Sequence, residues 1–341
     1  MTPFSNTSLP LPVLKLAQWH QGGQARQQFI HELGRAARDY GFFYLTEHGI
    51  SDDQIQYVQQ LSKQFFALPL TQKQQVAMVK SPHFRGYSTV GSELTNGRSD
   101  QREQFDFMLE EAALAPEDIH AHWQHLIGPN QWPNALPTMR DTMLAWQQQL
   151  SAISMNLLEA FAVALEQPST AFKESIGEQP YAHTKLIRYP QRQGINNQGV
   201  GAHKDPGYLT LVLQDEQSGL EVEHQGQWLP VVPLPGALVV NIGELLELAS
   251  DGYLQATYHR VVSPAIARER YSIAFFMAAR LSAEVPYLPL PGHLKQLAHG
   301  PSSDPNNPLF RQVGQNVFKG RLRSHPDVAQ RFYADLLKLA G

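Results

Sequence analysis

Cysteine is absent from this chain of 341 residues. Its absence excludes disulfides, iron–sulfur clusters, cysteine-ligated zinc and a cysteine nucleophile. Any metal must therefore be held by histidine, aspartate or glutamate, a ligand set that suits iron, manganese, zinc or nickel.

A large charge and a long apolar run are also missing. The formal net charge is −4, which argues against a nucleic-acid partner. No segment approaches about 18 uninterrupted apolar residues, so we expect no membrane partner. Residues 1–12 have neither a basic start nor an apolar core, so we expect no secretory signal and a cytoplasmic location. No feature of the sequence specifies an oligomeric state.

The pattern of apolar residues divides the chain. Helical spacing in the first half predicts helices over Ala25–Asp39, Asp52–Ala67, a segment near Thr71, and Pro137–Glu166. The aromatic and β-branched run Gly41–Thr46 between the first two predicts a strand. After about Tyr181, short β-type runs alternate with turn signals, at His183–Tyr189, Tyr208–Leu213, Leu220–Glu223, Trp228–Val232, Ala237–Ile242, Thr257–Val262 and Tyr271–Met277. Short strands with tight turns favour a sandwich or jelly roll over a βαβ fold. The tail from Pro326 to Leu339 returns to a helical pattern.

One group of residues has the composition of a metal site. His203 and Asp205 are spaced i and i+2, which places both on one face of a strand. His259 follows in another predicted strand. Two histidines and one carboxylate on one face of a β-barrel form a facial triad, which leaves open iron positions for oxygen chemistry. A second pair, His325 and Asp327, has the same spacing, but Pro326 favours a helix start there, with Ser324 or His325 as the cap.

Eleven residues past His259, Arg270 and Ser272 alternate onto one face of a further predicted strand. A guanidinium and a hydroxyl together can hold a carboxylate. Three more histidines, His120, His122 and His125, surround Trp123, and we interpret them as part of a polar solvated loop.

These residues, in this order, resemble the isopenicillin N synthase-like branch of the Fe(II)/2-oxoglutarate-dependent oxygenases. The resemblance extends over nearly the whole chain. Its segments are Leu11–Val13, Gly41–Phe43, Glu47–Gly49, Phe65–Phe66, Leu68–Pro69, Lys73, Arg85–Tyr87, Leu186–Pro190, His203–Asp205, Leu209–Leu211, Gly219–Val222, Trp228, Val239–Gly243, His259–Val261 and Arg270–Ser272.

The resemblance implies a mainly β fold with flanking helices: a distorted double-stranded β-helix, or jelly roll, wrapped by N-terminal helices. It implies an N-terminal helical and mixed region over residues 1–175, the oxygenase core over 176–285 and a C-terminal extension over 286–341. It further implies that His203, Asp205 and His259 bind Fe(II). Arg270 and Ser272 would bind the distal carboxylate of 2-oxoglutarate, and Tyr189 would support the co-substrate.

The reaction that the resemblance implies consumes O2 and 2-oxoglutarate, with ascorbate as a candidate reductant. It releases succinate and CO2 and oxidises a C–H bond of a small-molecule substrate that the sequence does not identify. Two alternatives stay open: an iron oxidase of the isopenicillin N synthase type that does not use 2-oxoglutarate, and a non-catalytic carboxylate-binding barrel.

The sequence departs from the family at three positions. Lys15 replaces a frequent Asp, Lys204 a frequent Ser or Thr, and Ile187 an Asn that assists co-substrate binding in some plant members. The Ile187 change bears on the detailed co-substrate contacts. Residues in the segment where the family usually contacts substrate are Phe84, Arg85, Tyr87, Arg98 and Glu103, and each alone is equally consistent with a surface or packing role.

Overall fold

A computed structural model gives the structure of residues 10–191, 198–263, 268–302, 304–305 and 307–340. The chain folds around two facing β-sheets, with α-helices packed on the outer face of the larger one. None of the helices in these ranges combines the length and apolar character that a membrane span requires.

The strands are β1 (Val13–Lys15), β2 (Phe42–Thr46), β3 (Gly86–Ser88), β4 (Leu94–Thr95), β5 (Arg98–Ser99), β6 (Glu103–Met108), β7 (Tyr181–Tyr189), β8 (Gln198–His203), β9 (Leu209–Gln214), β10 (Leu220–His224), β11 (Gln227–Pro230), β12 (Leu238–Ile242), β13 (His259–Val262) and β14 (Arg270–Ala278).

The helices are α1 (Leu16–Gln21), α2 (Gly23–Asp39), α3 (Asp52–Ala67), α4 (Leu70–Gln75), α5 (Met139–Ala164), α6 (Lys173–Ile176), α7 (Glu244–Ala249), α8 (Gly292–Lys295), α9 (Val313–Ser324) and α10 (Pro326–Phe332).

The major sheet has eight strands in the order β1-β2-β12-β9-β14-β7-β6-β3, and the minor sheet has four in the order β11-β10-β13-β8. Ile187 and Tyr189 from the major sheet pack against Val200, Val222 and Val261 from the minor sheet, which closes a barrel-like interior. The mainly β fold with flanking helices is confirmed.

Two predicted helices of the first half, α3 and α5, form with the cap and the buried apolar face that the sequence indicates. Helix α3 has the predicted bounds, and Ser51 caps it, since its Oγ accepts a hydrogen bond from the backbone N–H of Gln54 at 3.3 Å. Helix α5 buries the predicted stripe that includes Trp146, Leu150 and Phe161.

The first half also supplies strands to the core. β1, β2, β3 and β6 all belong to the major sheet, and of these only β2, at the run Gly41–Thr46, was predicted as a strand. The division at residues 175 and 285 stays a prediction. The expected loop at Ser302–Pro308 includes two residues, 303 and 306, that lie outside the described ranges.

Strand β8 was missing from the predicted strands. Its sequence, Gln-Gly-Val-Gly-Ala-His, contains two glycines and one β-branched residue, so it gives no periodic apolar signal.

Candidate metal and co-substrate site

The three predicted metal ligands come together at one end of the interior. His259 of β13 is the direct cross-strand partner of His203 of β8. Asp205 lies two residues beyond the end of β8, so the carboxylate is presented by a loop and not, as the spacing suggested, by the same strand. Their potential ligand atoms all lie within 4.8 Å of one another, and no other such group of three exists in the described part of the chain.

Both imidazoles are oriented by the backbone. Nδ1 of His203 lies 2.8 Å from the carbonyl oxygen of Gly201, and Nδ1 of His259 lies 3.1 Å from that of Thr257. A carbonyl only accepts, so each Nδ1 carries the proton and each Nε2 keeps its lone pair. The two Nε2 atoms lie 3.5 and 3.6 Å from the Asp205 carboxylate.

Asp205 is 3% exposed and is held by two donors. The hydroxyl of Thr210 donates to Oδ2 at 2.6 Å, and the amide of Asn241 donates to the same atom at 2.8 Å. Burial opposes ionisation, but His259 and His203 together hold the pKa of Asp205 well below its usual range. Sequence reasoning missed Thr210 and Asn241, because they approach Asp205 only when β9 and β12 pair in register.

The pKa values of the two histidine ligands, His203 and His259, are shifted in opposite directions. Burial lowers the pKa of His259 to about 4, against the opposing effect of Asp205. Burial also disfavours charge on His203, but its interaction with Asp205 raises the pKa above the usual value. His259 is thus neutral at physiological pH, the form in which imidazole binds a metal.

The loop that carries Asp205 is fixed by the start of α7. The backbone N–H of Glu244 donates to the carbonyl of Asp205 at 2.8 Å, and that of Leu245 donates to Gly207 at 3.1 Å. A Cβ on Gly243 would lie 2.1 Å from the Gly207 carbonyl oxygen, so only glycine allows this approach.

The predicted carboxylate-binding pair is also placed in the interior. Arg270 is 1% exposed, and its Nη1 lies 3.4 Å from the hydroxyl of Ser272. Its guanidinium carbon lies 4.9 Å from the ring centroid of Tyr189, its cross-strand partner. The Nε of Arg270 has no hydrogen-bond partner within the described ranges, so the side chain keeps a donor for a ligand.

The remaining candidates are not ligands of this group. Asp327 accepts the backbone N–H of Val328 at the start of α10, as a helix-start residue does. His325 is the residue before that helix but caps it with no side-chain hydrogen bond; its ring is buried beside Arg321, at 3.2 Å. His325 is therefore at the N-cap position, as one of the two expected candidates, but its side chain contacts Arg321 and does not cap the helix.

The histidines around Trp123 lie in a short 3₁₀ helix or beside it. His120 and His122 are exposed, whereas His125 is half-buried, 5.1 Å from the ring of Tyr333. The solvated-loop interpretation therefore fits two of the three.

Four of the five residues in the expected substrate-contacting segment have packing roles. Phe84 stacks on Tyr333, Arg85 donates to the carbonyl of Leu126, and the buried Tyr87 donates to Glu103. Arg98 is exposed.

Comparison with known proteins identifies the family. A profile described as the N-terminal part of non-haem dioxygenases in morphine synthesis matches residues 11–135, and one for the 2OG-Fe(II) oxygenase superfamily matches 181–279. A 2-oxoglutarate-dependent dioxygenase of Gibberella zeae is 33% identical over 343 residues, which cover 92% of this chain and 88% of the relative. This chain belongs to the Fe(II)- and 2-oxoglutarate-dependent oxygenases.

Other relatives agree with this membership. A homoarginine-6-hydroxylase of Arabidopsis thaliana is 35% identical over 260 residues, covering 76% of this chain and 72% of that protein. A 2OG-Fe(II) oxygenase family protein from Caulobacter crescentus superposes with a TM-score of 0.73 at 28% identity, covering 93% of this chain and 99% of the other. T7H of Neurospora crassa, solved with alpha-KG, superposes at 0.70 with 25% identity, covering 84% of this chain and 90% of the other.

The chain is therefore an enzyme that uses Fe(II), 2-oxoglutarate and O2. It oxidises a small-molecule substrate with release of succinate and CO2. The oxidase and non-catalytic alternatives are not supported by these relatives.

Proposed function

We propose that His203, Asp205 and His259 are the ligands of the catalytic Fe(II). The observation that carries the proposal is the convergence of two lone-pair Nε2 atoms and one ionised carboxylate within 4.8 Å. Two imidazoles and one carboxylate are the donor set of the non-haem Fe(II) oxygenases. Three protein ligands leave positions for a co-substrate and O2, and the bound iron supplies the oxidising chemistry.

We further propose that Arg270, Ser272 and Tyr189 bind 2-oxoglutarate. The guanidinium supplies paired donors to the distal carboxylate and Ser272 adds a hydroxyl. The ring of Tyr189 packs against the Arg270 guanidinium in a cation–π contact and so helps to hold it in place. Ile187, on the cross-strand partner position of Ser272, offers an apolar surface where some relatives have Asn. Apolar walls around the co-substrate exclude water from the reaction.

In this proposal the surrounding residues set the geometry of the reaction. Thr210 and Asn241 keep Asp205 ionised and turned towards the histidines. The backbone carbonyls of Gly201 and Thr257 hold both rings in the ligating tautomer. A cytoplasmic location, and the absence of nucleic-acid and membrane partners, stay predictions from the sequence.

The test compares two single variants. His203→Ala should bind iron at least about tenfold more weakly than the wild type, equivalent to about 1.4 kcal/mol or more, and should form no succinate. Asp327→Ala, the decoy of the same spacing, should keep full iron content and lose at most about 1 kcal/mol of stability. Full iron and activity in His203→Ala, or loss of iron in Asp327→Ala, would show that the site is assigned wrongly.

The substrate screen follows succinate formed per O2 consumed. Amino acids are tested first, because the plant relatives are named homoarginine-6-hydroxylases. A ratio near one identifies a coupled substrate, whereas O2 uptake without succinate would contradict the proposal.

A further inference from the structure

A group of buried charged and polar residues lies near the metal site, and none of them is among the proposed ligands of iron or 2-oxoglutarate. We call four of them the polar wall: Asp106, His183, Lys185 and Arg321. Asp106 Oδ1 lies 2.8 Å from Nε2 of His183 and accepts from Arg321 at 3.2 Å. Lys185 donates at 2.6 Å to Glu93, a further carboxylate that covers the wall.

The polar wall faces the same interior as the proposed metal ligands. His183 and Lys185 lie on the same face of β7 as Ile187 and Tyr189, since all four are two residues apart in sequence, and the latter two line the barrel interior. Across the sheet, His183 pairs with Phe276, which pairs with Thr210, the residue that donates to Asp205. Two strand spacings, about 10 Å, therefore separate the wall from the support of the metal ligand.

A second route connects the wall to the other side of the site. Glu93 accepts from Arg102 at 2.8 Å, and Arg102 lies 3.3 Å from Asp100. Asp100 in turn accepts the backbone N–H of Gly201, whose carbonyl orients His203. The charged group is thus connected to the proposed metal ligands through both sheets: through Thr210 in the major sheet and Gly201 in the minor sheet.

The charges of this group balance. Among the described residues named here, the carboxylates of Glu93, Asp100 and Asp106 match the cations of Arg102, Lys185 and Arg321. The two histidines are neutral, since burial and then Arg321 lower the pKa of His183 to about 3, and burial lowers that of His325 to about 4.

Two buried polar atoms beside this group have no hydrogen-bond partner within the described ranges. Gln104, which is 1% exposed, gives its amide N–H to Asp106, but its Oε1 has no partner within the described ranges. The Nε of Arg102, on a side chain 8% exposed, likewise has none there. One free acceptor and one free donor remain in an enclosed region where each unpaired group has a cost.

From this arrangement we infer that the polar wall recognises the primary substrate, and that the substrate is a hydrophilic zwitterion of the amino-acid type. The inference rests on the proposed metal site and adds the substrate class to it. A carboxylate of the substrate can pair with Arg321 and Lys185, and its cationic group with Asp106. An apolar acid could pair with the same two cations, but it would bring no positive group to replace them at Asp106. The buried carboxylate of Asp106 would then lack a partner.

Helix α9 is part of this recognition. Arg321 comes from α9, 215 residues beyond Asp106, and donates to it at 3.2 Å. The ionised carboxylate of Asp106 only accepts hydrogen bonds, so Nε2 of His183 carries the proton and Nδ1 keeps its lone pair. Nη2 of Arg321 lies 2.8 Å from Nδ1 and 2.7 Å from Nε2 of the same ring. Asp106 therefore sets the tautomer of His183, and Arg321 contacts both of these side chains.

The experiment uses full-length protein loaded anaerobically with Fe(II) and 2-oxoglutarate. The visible absorption of that complex is titrated with L-arginine and L-glutamine as zwitterionic probes, and with phenylacetate and indole-3-acetate as apolar acids. The wild type should respond to at least one zwitterion and to neither apolar acid. Arg321→Gln should weaken the response about 30-fold or more, and Arg321→Lys should restore part of it.

The control is Arg331→Gln, which removes the same charge from the exposed face of α10 and should bind the probes as the wild type does. A response to an apolar acid, no response to either zwitterion, or an unchanged response in Arg321→Gln would each overturn the inference. A wild type that binds no iron or 2-oxoglutarate would instead contradict the proposed metal and co-substrate site.

Discussion

At the scale of single residues, the candidate site separates into positions that short motifs specify and positions that only folding brings near. His203, Asp205, Arg270 and Ser272 lie at spacings of two residues, and strand geometry then predicts that each pair acts together. Thr210 and Asn241 could not be predicted, because their role depends on strand register and not on spacing. Asp106 and His183 are 77 residues apart, so their contact could not be predicted from spacing. The sequence did contain one indication of it, because His183 shares a face of β7 with Ile187 and Tyr189.

Arg270 carries the prediction that belongs to this scale. Arg270→Lys keeps a positive charge but loses the paired donors that meet both oxygens of a carboxylate. The concentration of 2-oxoglutarate that half-saturates the enzyme should rise about 30-fold or more, equivalent to about 2 kcal/mol. Iron content should not change, because Arg270 is not among the proposed ligands.

The matched control is Arg268→Lys, an exposed arginine two residues earlier that lies 3.3 Å from Gln217. Its 2-oxoglutarate dependence should equal that of the wild type. An Arg270→Lys enzyme with unaltered saturation by 2-oxoglutarate would remove Arg270 from the co-substrate site.

At the scale of elements, the start of helix α7 holds the loop that presents Asp205. The first backbone N–H groups of a helix have no partners within the helix, and here they donate to the carbonyls of Asp205 and Gly207. The sequence indicated neither this six-residue helix nor its contact with the loop, since a short helix gives little periodic signal.

Gly243→Ala tests this contact. The added methyl group would meet the Gly207 carbonyl oxygen at 2.1 Å, so the loop or the helix must shift. We expect a loss of about 1–3 kcal/mol in the free energy of unfolding, measured in urea, together with weaker iron binding. Gly292→Ala, where an added Cβ meets nothing within 4 Å, should change neither. Full iron affinity in Gly243→Ala would show that the loop is positioned by other contacts.

The junction between α9 and α10 gives a pH-dependent prediction. Burial keeps His325 neutral in the folded protein, with its pKa lowered to about 4, whereas the unfolded chain takes up the proton near pH 6.5. Between those values the unfolded state binds more protons, so stability must fall as the pH falls. The contribution of this ring is about 1.4 kcal/mol per pH unit at most.

The measurement is the free energy of unfolding between pH 6.5 and 5, above the range in which most carboxylates titrate. His325→Asn should lower the stability at neutral pH but reduce the slope against pH. An unchanged slope would mean that the His325 ring accepts a proton without unfolding.

At the scale of the whole molecule, the β-rich second half was predictable because its strands are short, apolar and separated by turns. The participation of β1, β2, β3 and β6 in the major sheet was not, since these pairings join segments far apart in the chain. For the same reason the C-terminal helices gave no sign that Arg321 reaches the interior. The described structure therefore links all three predicted regions through one interior.

The central claim is that one iron lies between His203, Asp205 and His259. The most direct measurement is an anomalous difference map at the iron absorption edge, from crystals grown anaerobically with Fe(II) and 2-oxoglutarate. The account predicts a single strong peak per chain, at about 2.0–2.2 Å from Nε2 of both histidines and from a carboxylate oxygen of Asp205. A strong peak elsewhere, or one that contacts fewer than these three residues, would contradict it.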